Sequence, residues 1–283
     1  MLRLAVTTRA ETFERLRDPL ATREIDVVHL PVEGRTIDLT GADGGVGDVD
    51  AGLVFPSRVA EGTAVSALLD VPWVNGREAV LTSRNKGGAI AALSAAGLPV
   101  PETTLVSNPV DEAAVRAAAE AFDWPVVVKP NSTTRGRGVV RASDLDSLLG
   151  VVDYLNLVHD DPATGDKSYL LQEFLPDARD YRVMVVDGEY AGAVERRSEA
   201  GWKHNVHRGA AAESVDLPAA YRRLAERAAD VLGVPFLGVD LLATGDRVVV
   251  NETNARPTVD ESEKYEDGFY DRLAALIRRT AEN

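Results

Sequence analysis

Lysine is rare in this chain. Of 31 basic residues only five are lysines (Lys86, Lys129, Lys167, Lys203 and Lys264), leaving 26 arginines. Lys129 ends the apolar run VVVK and is followed by Pro130 and the stretch STTRGRG, 132–138. A strand that delivers an ammonium beside hydroxyls and glycines suits a triphosphate. The lysine supplies a point charge, and loop N–H groups around Gly136 and Gly138 fold over the phosphates. A surface lysine beside an ordinary turn reads the same way, so this signal alone leaves both open. The common nucleotide signatures are missing: there is no G-x-x-x-x-G-K-S/T, and the nearest approach to G-x-G-x-x-G, from Gly136, ends in Arg141.

Asp240, Glu252 and Asn254 form a second group, in GVDLLATGDRVVVNETN. A three-residue turn at Thr244–Asp246 would set Gly238 opposite Glu252 and Asp240 opposite Val250. With side chains alternating along each strand, Asp240, Glu252 and Asn254 then share one face. Oxygen-bearing side chains on otherwise apolar strands are not buried as bare charges. Hard oxygen donors of this kind suit Mg²⁺ or Mn²⁺ held jointly with nucleotide phosphates. The alternative is a solvent-facing hairpin edge, which the flanking valines and leucines weigh against.

A third group, ERRSEAGWKHNVHRGAAA (195–212), is basic in an acidic protein, with Arg196, Arg197, Lys203 and Arg208 close together. His204-x-x-His207 is a weak zinc signal without an acidic partner motif. A cationic patch aimed at a phosphate or a developing oxyanion is the better functional reading. A solvated hairpin tip is the plainer one.

The composition bounds these readings. With 283 residues and 45% hydrophobic content the chain can bury a substantial core in one to three domains. The absence of cysteine excludes disulfides, thiolate zinc, iron–sulfur clusters and a cysteine nucleophile. A net charge of −14 repels phosphate backbones, so no nucleic-acid partner is expected. The start, MLRLAVTTRAETF, lacks the apolar core of a signal peptide, and no apolar run approaches membrane-spanning length. The expectation is a soluble cytoplasmic protein with no membrane partner. Acid in excess and arginine in place of lysine suit a protein that works at high salt.

The elements that must position these groups follow from periodicity. LRLAVTT and IDVVHLPV read as strands around the helix-like ETFERLRDPLATR, a βαβ opening. AGLVFPS, a helix to about residue 69 and the strand VPWVN complete a small doubly wound α/β domain over 1–85. NKGGAIAALSAAG is a helix closed by Gly97. LPVPETTLV is extended, DEAAVRAAAEAF is a helix, WPVVVKP a buried strand, and SDLDSLLGVVDYL a helix capped by Ser143 or Asp144. Beyond the polar stretch HDDPATGDKS the chain is largely antiparallel: YLLQEFL, then a hairpin turning at Asp187-Gly188, the helix LPAAYRRLAERAADVLG, a second hairpin through GVDLL and NETN, and a last helix DGFYDRLAALIRRTAEN.

Taken in order, Lys86, Lys129 with its glycine-rich loop, QEF, RDYR, ERR…KHNVHRG, GVDLL and NETNARP resemble the ATP-grasp superfamily. Within it the chain is similar to the RimK-type α-L-glutamate ligases, over roughly residues 70–283, with VPWVN, LPVPET, AVERR, NVHRG and GVD matching closely. The resemblance implies an α/β (α+β) architecture. An ATP-grasp fold of two α+β subdomains grips ATP, a small lid at 86–170 and a large part with the metal site at 171–283, preceded by the doubly wound leader at 1–85. It also implies roles. Lys86 and Lys129 would contact the phosphates. Gln172, Glu173 and Phe174 would form the adenine-side hinge, with Glu173 or Asp180 on the ribose. Lys203, His204 and Asn205 occupy a further nucleotide-contacting segment. Asp240, Glu252 and Asn254 would hold two Mg²⁺ or Mn²⁺ ions. Arg182 and Arg256 would face the carboxylate and its phosphorylated form, with Arg196 beside them.

The implied reaction is ATP-dependent amide formation between a carboxylate and an amine by way of an acyl phosphate. L-Glutamate is the amine, and the acceptor is a protein, carrier or coenzyme carboxylate. Positioning and charge neutralisation would carry the rate, so no Ser-His-Asp or paired-carboxylate motif is needed. A ligase of the LysX type, acting on an amino-group carrier protein in lysine or arginine biosynthesis, and a non-catalytic ATP-binding regulator are the alternatives. A homo-oligomer is compatible with all three. After NETN the chain departs from the family pattern, reading ARPTVDESEKYEDG where small Ser or Gly residues are usual.

Overall fold

The run LRLAV forms β1 (Leu2–Val6), which is buried on both faces: Leu4 and Val6 enter one apolar cluster and Ala5 another. Burial on both faces is what a parallel strand requires. The computed structural model describes residues 1–8, 11–40, 47–133, 136–158, 166–197, 211–245 and 247–282. After α1 (Glu11–Ala21), β2 (Ile25–His29) pairs parallel with β1, and β3 (Ala51–Val54), α2 (Val59–Leu69) and β4 (Trp73–Asn75) extend the sheet in the order β2-β1-β3-β4. A helix absent from the sequence reading follows, α3 (Arg77–Arg84); with only Val80 and Ser83 buried, it shows too thin a stripe to announce a period. It leads into α4 (Lys86–Ala95), whose cap Asn85 accepts the Gly88 N–H at 3.0 Å.

The second sheet is antiparallel, with β5 (Thr103–Ser107), β6 (Val126–Pro130), β7 (Val140–Ala142) and β8 (Ser168–Glu173) in the order β5-β8-β6-β7. Two helices, α5 (Glu112–Ala119) and α6 (Leu145–Val158), cover the face formed by Val126, Val128, Tyr169 and Leu171. Asp144, not Ser143, caps the second of them by accepting the Ser147 N–H at 2.8 Å. β8 stays in this sheet through Glu173, so the division expected at 170/171 falls inside a strand. α4 also sits elsewhere than expected: through Leu93 it joins the core of the third sheet rather than the lid.

The third sheet holds β9 (Arg179–Val186), β10 (Glu189–Arg197), β11 (Ala211–Ser214), β12 (Phe236–Ala243) and β13 (Val248–Asn254), antiparallel in the order β11-β10-β9-β12-β13. Asp187 and Gly188 both take positive φ, 57° and 78°, as a two-residue turn that follows the strand twist demands. α7 (Ala219–Leu232) lays Leu224, Ala225, Ala228 and Ala229 on one face of this sheet. The last helix, α8 (Phe269–Ala281), returns to the first sheet and buries Phe269, Leu273 and Ile277 against β3 and β4. Asn75 ties the first sheet to the third: it is fully buried and donates to Ala255 O at 2.7 Å and to Phe236 O.

The β12–β13 hairpin corrects the expected register. Ala243 pairs with Val248, one residue further along than a three-residue turn allows, and Asp240 lies opposite Glu252 rather than Val250. The longer connection alone would have moved Asp240 to the face opposite Glu252. A one-residue bulge at Asn251, between the Asp240–Glu252 and Leu241–Val250 pairs, moves it back. Two single-residue irregularities cancel, and Asp240, Glu252 and Asn254 share a face as expected.

Candidate active site

Alternation along β6 sends Val126 and Val128 into the core of the second sheet and leaves Val127 and Lys129 on its other face. On the third sheet, Tyr181 and Val183 of β9 and Val239 and Leu241 of β12 enter the core, while Asp180, Arg182, Asp240 and Leu242 take the opposite face. These two faces enclose a cavity of about 630 Å³, of the size that takes a small-molecule ligand. Nine of the residues singled out in the sequence line it: Lys129, Gly136, Gln172, Glu173, Phe174, Asp180, Arg196, Asp240 and Glu252.

Lys129 is 9% exposed. Its Nζ donates to Asn251 Oδ1 at 2.9 Å and to Gln172 Oε1. Burial lowers the ammonium from its ordinary 10.5 to about 8, with Lys86 adding to the fall and Glu252 opposing it. Lys86, the first residue of α4, is also buried; its Nζ meets Asn131 O at 3.4 Å, Thr133 O and Glu252 Oε1 at 3.5 Å, so Glu252 stands between the two lysines. The stretch after Lys129 needs its glycines: Gly136 and Gly138 have φ of 64° and 73°, and a Cβ on Gly138 would meet Pro130 at 2.8 Å.

A buried charge ladder crosses the third sheet. Arg182 and Asp240 face each other on β9 and β12 and form a two-pronged pair at 2.8 and 2.8 Å. Arg196, 5% exposed, reaches Asp240 at 3.0 Å and also bonds Asp180. For Asp240, burial alone would raise the carboxyl; the arginines outweigh it and hold the group near 2. At the other end of the cavity Glu173 makes a two-pronged pair with Arg247, at 2.6 and 2.9 Å, and accepts the Glu102 N–H at 2.7 Å. The Arg141 guanidinium lies 5.1 Å from the Phe174 ring centre. The Gln172 side chain is engaged by Lys129 and Thr103.

Other expected residues lie off the cavity wall. Asn254 accepts the Arg256 N–H at 2.9 Å, and the Arg256 guanidinium crosses to Phe55 O and to Thr7 Oγ1 at 3.3 Å, at the ends of β3 and β1. Lys203, His204 and Asn205, with Arg208, lie outside the described residues. The sequence reading passed over Val127, Val139, Leu175 and Leu242, which give the cavity its apolar walls, and Asn251. Val127 and Leu242 were within reach: each is two residues from a singled-out neighbour, Lys129 or Asp240, and shares its face.

The donor set fits a nucleotide with a divalent ion. Apolar walls at one side suit a base, and buried cations at the other suit phosphates. Asp240 and Glu252 offer hard oxygen donors beside them. Among the described residues no cluster of three or more acidic or histidine side chains could hold an ion unaided. An ion here needs further oxygens, which phosphates would bring.

Residues 83–271 match the model of the RimK-like ATP-grasp domain. The chain is 32% identical over 230 residues to a probable alpha-L-glutamate ligase of Thioalkalivibrio sulfidiphilus, covering 79% of this chain and 71% of the relative. It is 34% identical over 202 residues to the tetrahydromethanopterin:alpha-L-glutamate ligase of Methanosarcina acetivorans, covering 68% and 59%. A probable alpha-L-glutamate ligase of Shewanella halifaxensis matches 75% of this chain at 28% identity, but the chain spans only about half of that protein's length, 46%. Among solved structures, D-cycloserine synthetase DcsG superposes with a TM-score of 0.75 at 22% identity, covering 97% of this chain and 99% of its own. An ATP-grasp RimK domain protein from Sphaerobacter thermophilus gives 0.69 at 25% identity, covering 99% and 98%.

Proposed function

The chain belongs to the RimK-like ATP-grasp family, and on that footing we propose that it is an ATP-dependent carboxylate–amine ligase that adds L-glutamate to an acceptor carboxylate. The observation that carries this reading is the cavity between the second and third sheets, in which Lys129, Asp240 and Glu252 stand on the same faces as apolar residues. In it the base lies against Val127 and Leu242, and the phosphates lie toward Lys129, Lys86 and the glycines of the 132–138 loop. Asp240 and Glu252, with Asn254 beyond the cavity wall on the same strand face, would hold Mg²⁺ or Mn²⁺, which would neutralise charge on the phosphates being transferred. Phosphate passes from ATP to the acceptor carboxylate, the amine attacks the acyl phosphate, and phosphate leaves as the amide forms. Glutamate as the amine is supported by the relatives named as glutamate ligases.

The arginines divide the remaining work. Arg182 and Arg196 keep Asp240 ionised and oriented, and Arg256, reaching to the ends of β1 and β3, faces the substrate carboxylate. The cytoplasm, where ATP is made, is the compartment this reading requires; among the described residues no helix is long and apolar enough to cross a membrane. The test is ADP release from ATP and Mg²⁺ by the purified protein, with L-glutamate and size-fractionated cell extract supplied separately and together. Release that needs both, with a product heavier by one or more glutamyl residues, supports the reading. Release independent of glutamate contradicts it.

A further inference from the structure

Asn251 is the one residue of β13 without a pairing partner on β12. In a regular strand it and Glu252 would face opposite ways. The bulge turns both toward the cavity, and both line it. From there Asn251 Oδ1 reaches over to the second sheet and accepts a hydrogen bond from Lys129 Nζ at 2.9 Å. Among the described residues the other side-chain acceptor on that nitrogen is Gln172 Oε1, from β8. An ammonium has three N–H donors, and here two of them are engaged by neutral carboxamide oxygens. Those acceptors fix the direction of the group without cancelling its charge. A carboxylate at either place would take the charge into an ion pair.

We propose that Asn251 is a nucleotide-positioning residue: from its bulge it orients the Lys129 ammonium across the boundary between the two sheets, so that the remaining donor and the full charge face the phosphates. The role is confined to the charged part of the ligand, because the contact is made through Lys129 and not with the base. The inference rests on the ATP reading above and adds a residue to it.

The test measures the affinity of wild type, Asn251→Leu and Asn251→Asp for ATP with Mg²⁺, for ADP with Mg²⁺ and for adenosine, by calorimetric titration or competition. Asn251→Leu removes the acceptor while keeping the branching and number of side-chain heavy atoms, and should weaken ATP and ADP by about tenfold or more, as loss of a charge-assisted hydrogen bond does. Asn251→Asp keeps the acceptor but neutralises the lysine, and should weaken them at least as much. Adenosine should bind all three proteins alike. If wild type binds ATP and both variants match it, or if adenosine binding falls in step with ATP, the role assigned to Asn251 is wrong. Wild-type protein that binds no ATP overturns the ATP reading and this inference with it.

Discussion

Lys129 should make the protein more stable as pH rises, relative to a variant without it. In the unfolded chain a lysine keeps its proton to about 10.4. In the folded protein burial brings the group down to about 8. Between those values the unfolded chain binds the proton and the folded protein does not, so folding is favoured progressively by base. Below about pH 8 both states are protonated and the dependence vanishes. At about 1.36 kcal/mol per pH unit, the fall from 10.5 to about 8 is worth about 3 kcal/mol in full. Lys129→Met deletes the titration, and whatever it changes in packing or hydrogen bonding is the same at every pH. Urea unfolding of both proteins without nucleotide should therefore show the wild type gaining about 1 kcal/mol on the variant from pH 7 to 9, and about twice that by pH 10. Nucleotide affinity should move the other way, falling above about pH 8, because phosphate binding then has to draw a proton onto the amine. A stability difference that stays constant from pH 7 to 10 would refute the reasoning, since Lys129 would then titrate as a solvated lysine does.

Other perturbations probe the remaining parts of the site. Glu252→Gln, which removes a carboxylate beside Lys86 at nearly constant shape, should leave the melting temperature close to wild type and lower turnover by about a hundredfold or more; near-normal turnover would remove Glu252 from the metal site. Arg196→Met leaves Asp180 and Asp240 buried with one partner fewer, and urea unfolding should show a loss of about 3 kcal/mol, toward the lower end for a broken buried pair because Arg182 still holds Asp240. With 45 acidic against 31 basic residues, the melting temperature should climb with KCl as the Debye length shortens to about 3 Å at 1 M; a flat or falling trend would make the acidity incidental.

Much of this site could be read from residue types, because its chemistry demands exceptions to local rules. A lysine closing VVVK and carboxylates on strands rich in valine and leucine violate the burial preferences of strands, and Lys129, Asp240 and Glu252 each mark a cavity face. Asp187-Gly188 fixed its hairpin for a purely local reason: two positive φ values. What escaped was long-range. The bulge at Asn251 has no signature in VVVNETN, and without it the register differs. The two-pronged hold of Arg182 on Asp240 joins residues 58 apart in sequence. The docking of α4 on the third sheet and of α8 on the first depends on which apolar faces meet, and periodicity reveals only that such faces exist.

Acyl phosphate formation is the central claim, and positional isotope exchange tests it most directly. ATP labelled with ¹⁸O in the β–γ bridge would be incubated with the protein, Mg²⁺ and the acceptor fraction, with glutamate withheld. Reversible transfer of the γ-phosphoryl group to the acceptor carboxylate frees the β-phosphate to rotate, so label should scramble into its non-bridging positions. The account predicts scrambling with the acceptor present and none with glutamate alone. Scrambling with glutamate alone would make glutamate the activated carboxylate, and no scrambling with an acceptor fraction that yields amide once glutamate is added would contradict an acyl phosphate made before the amine binds.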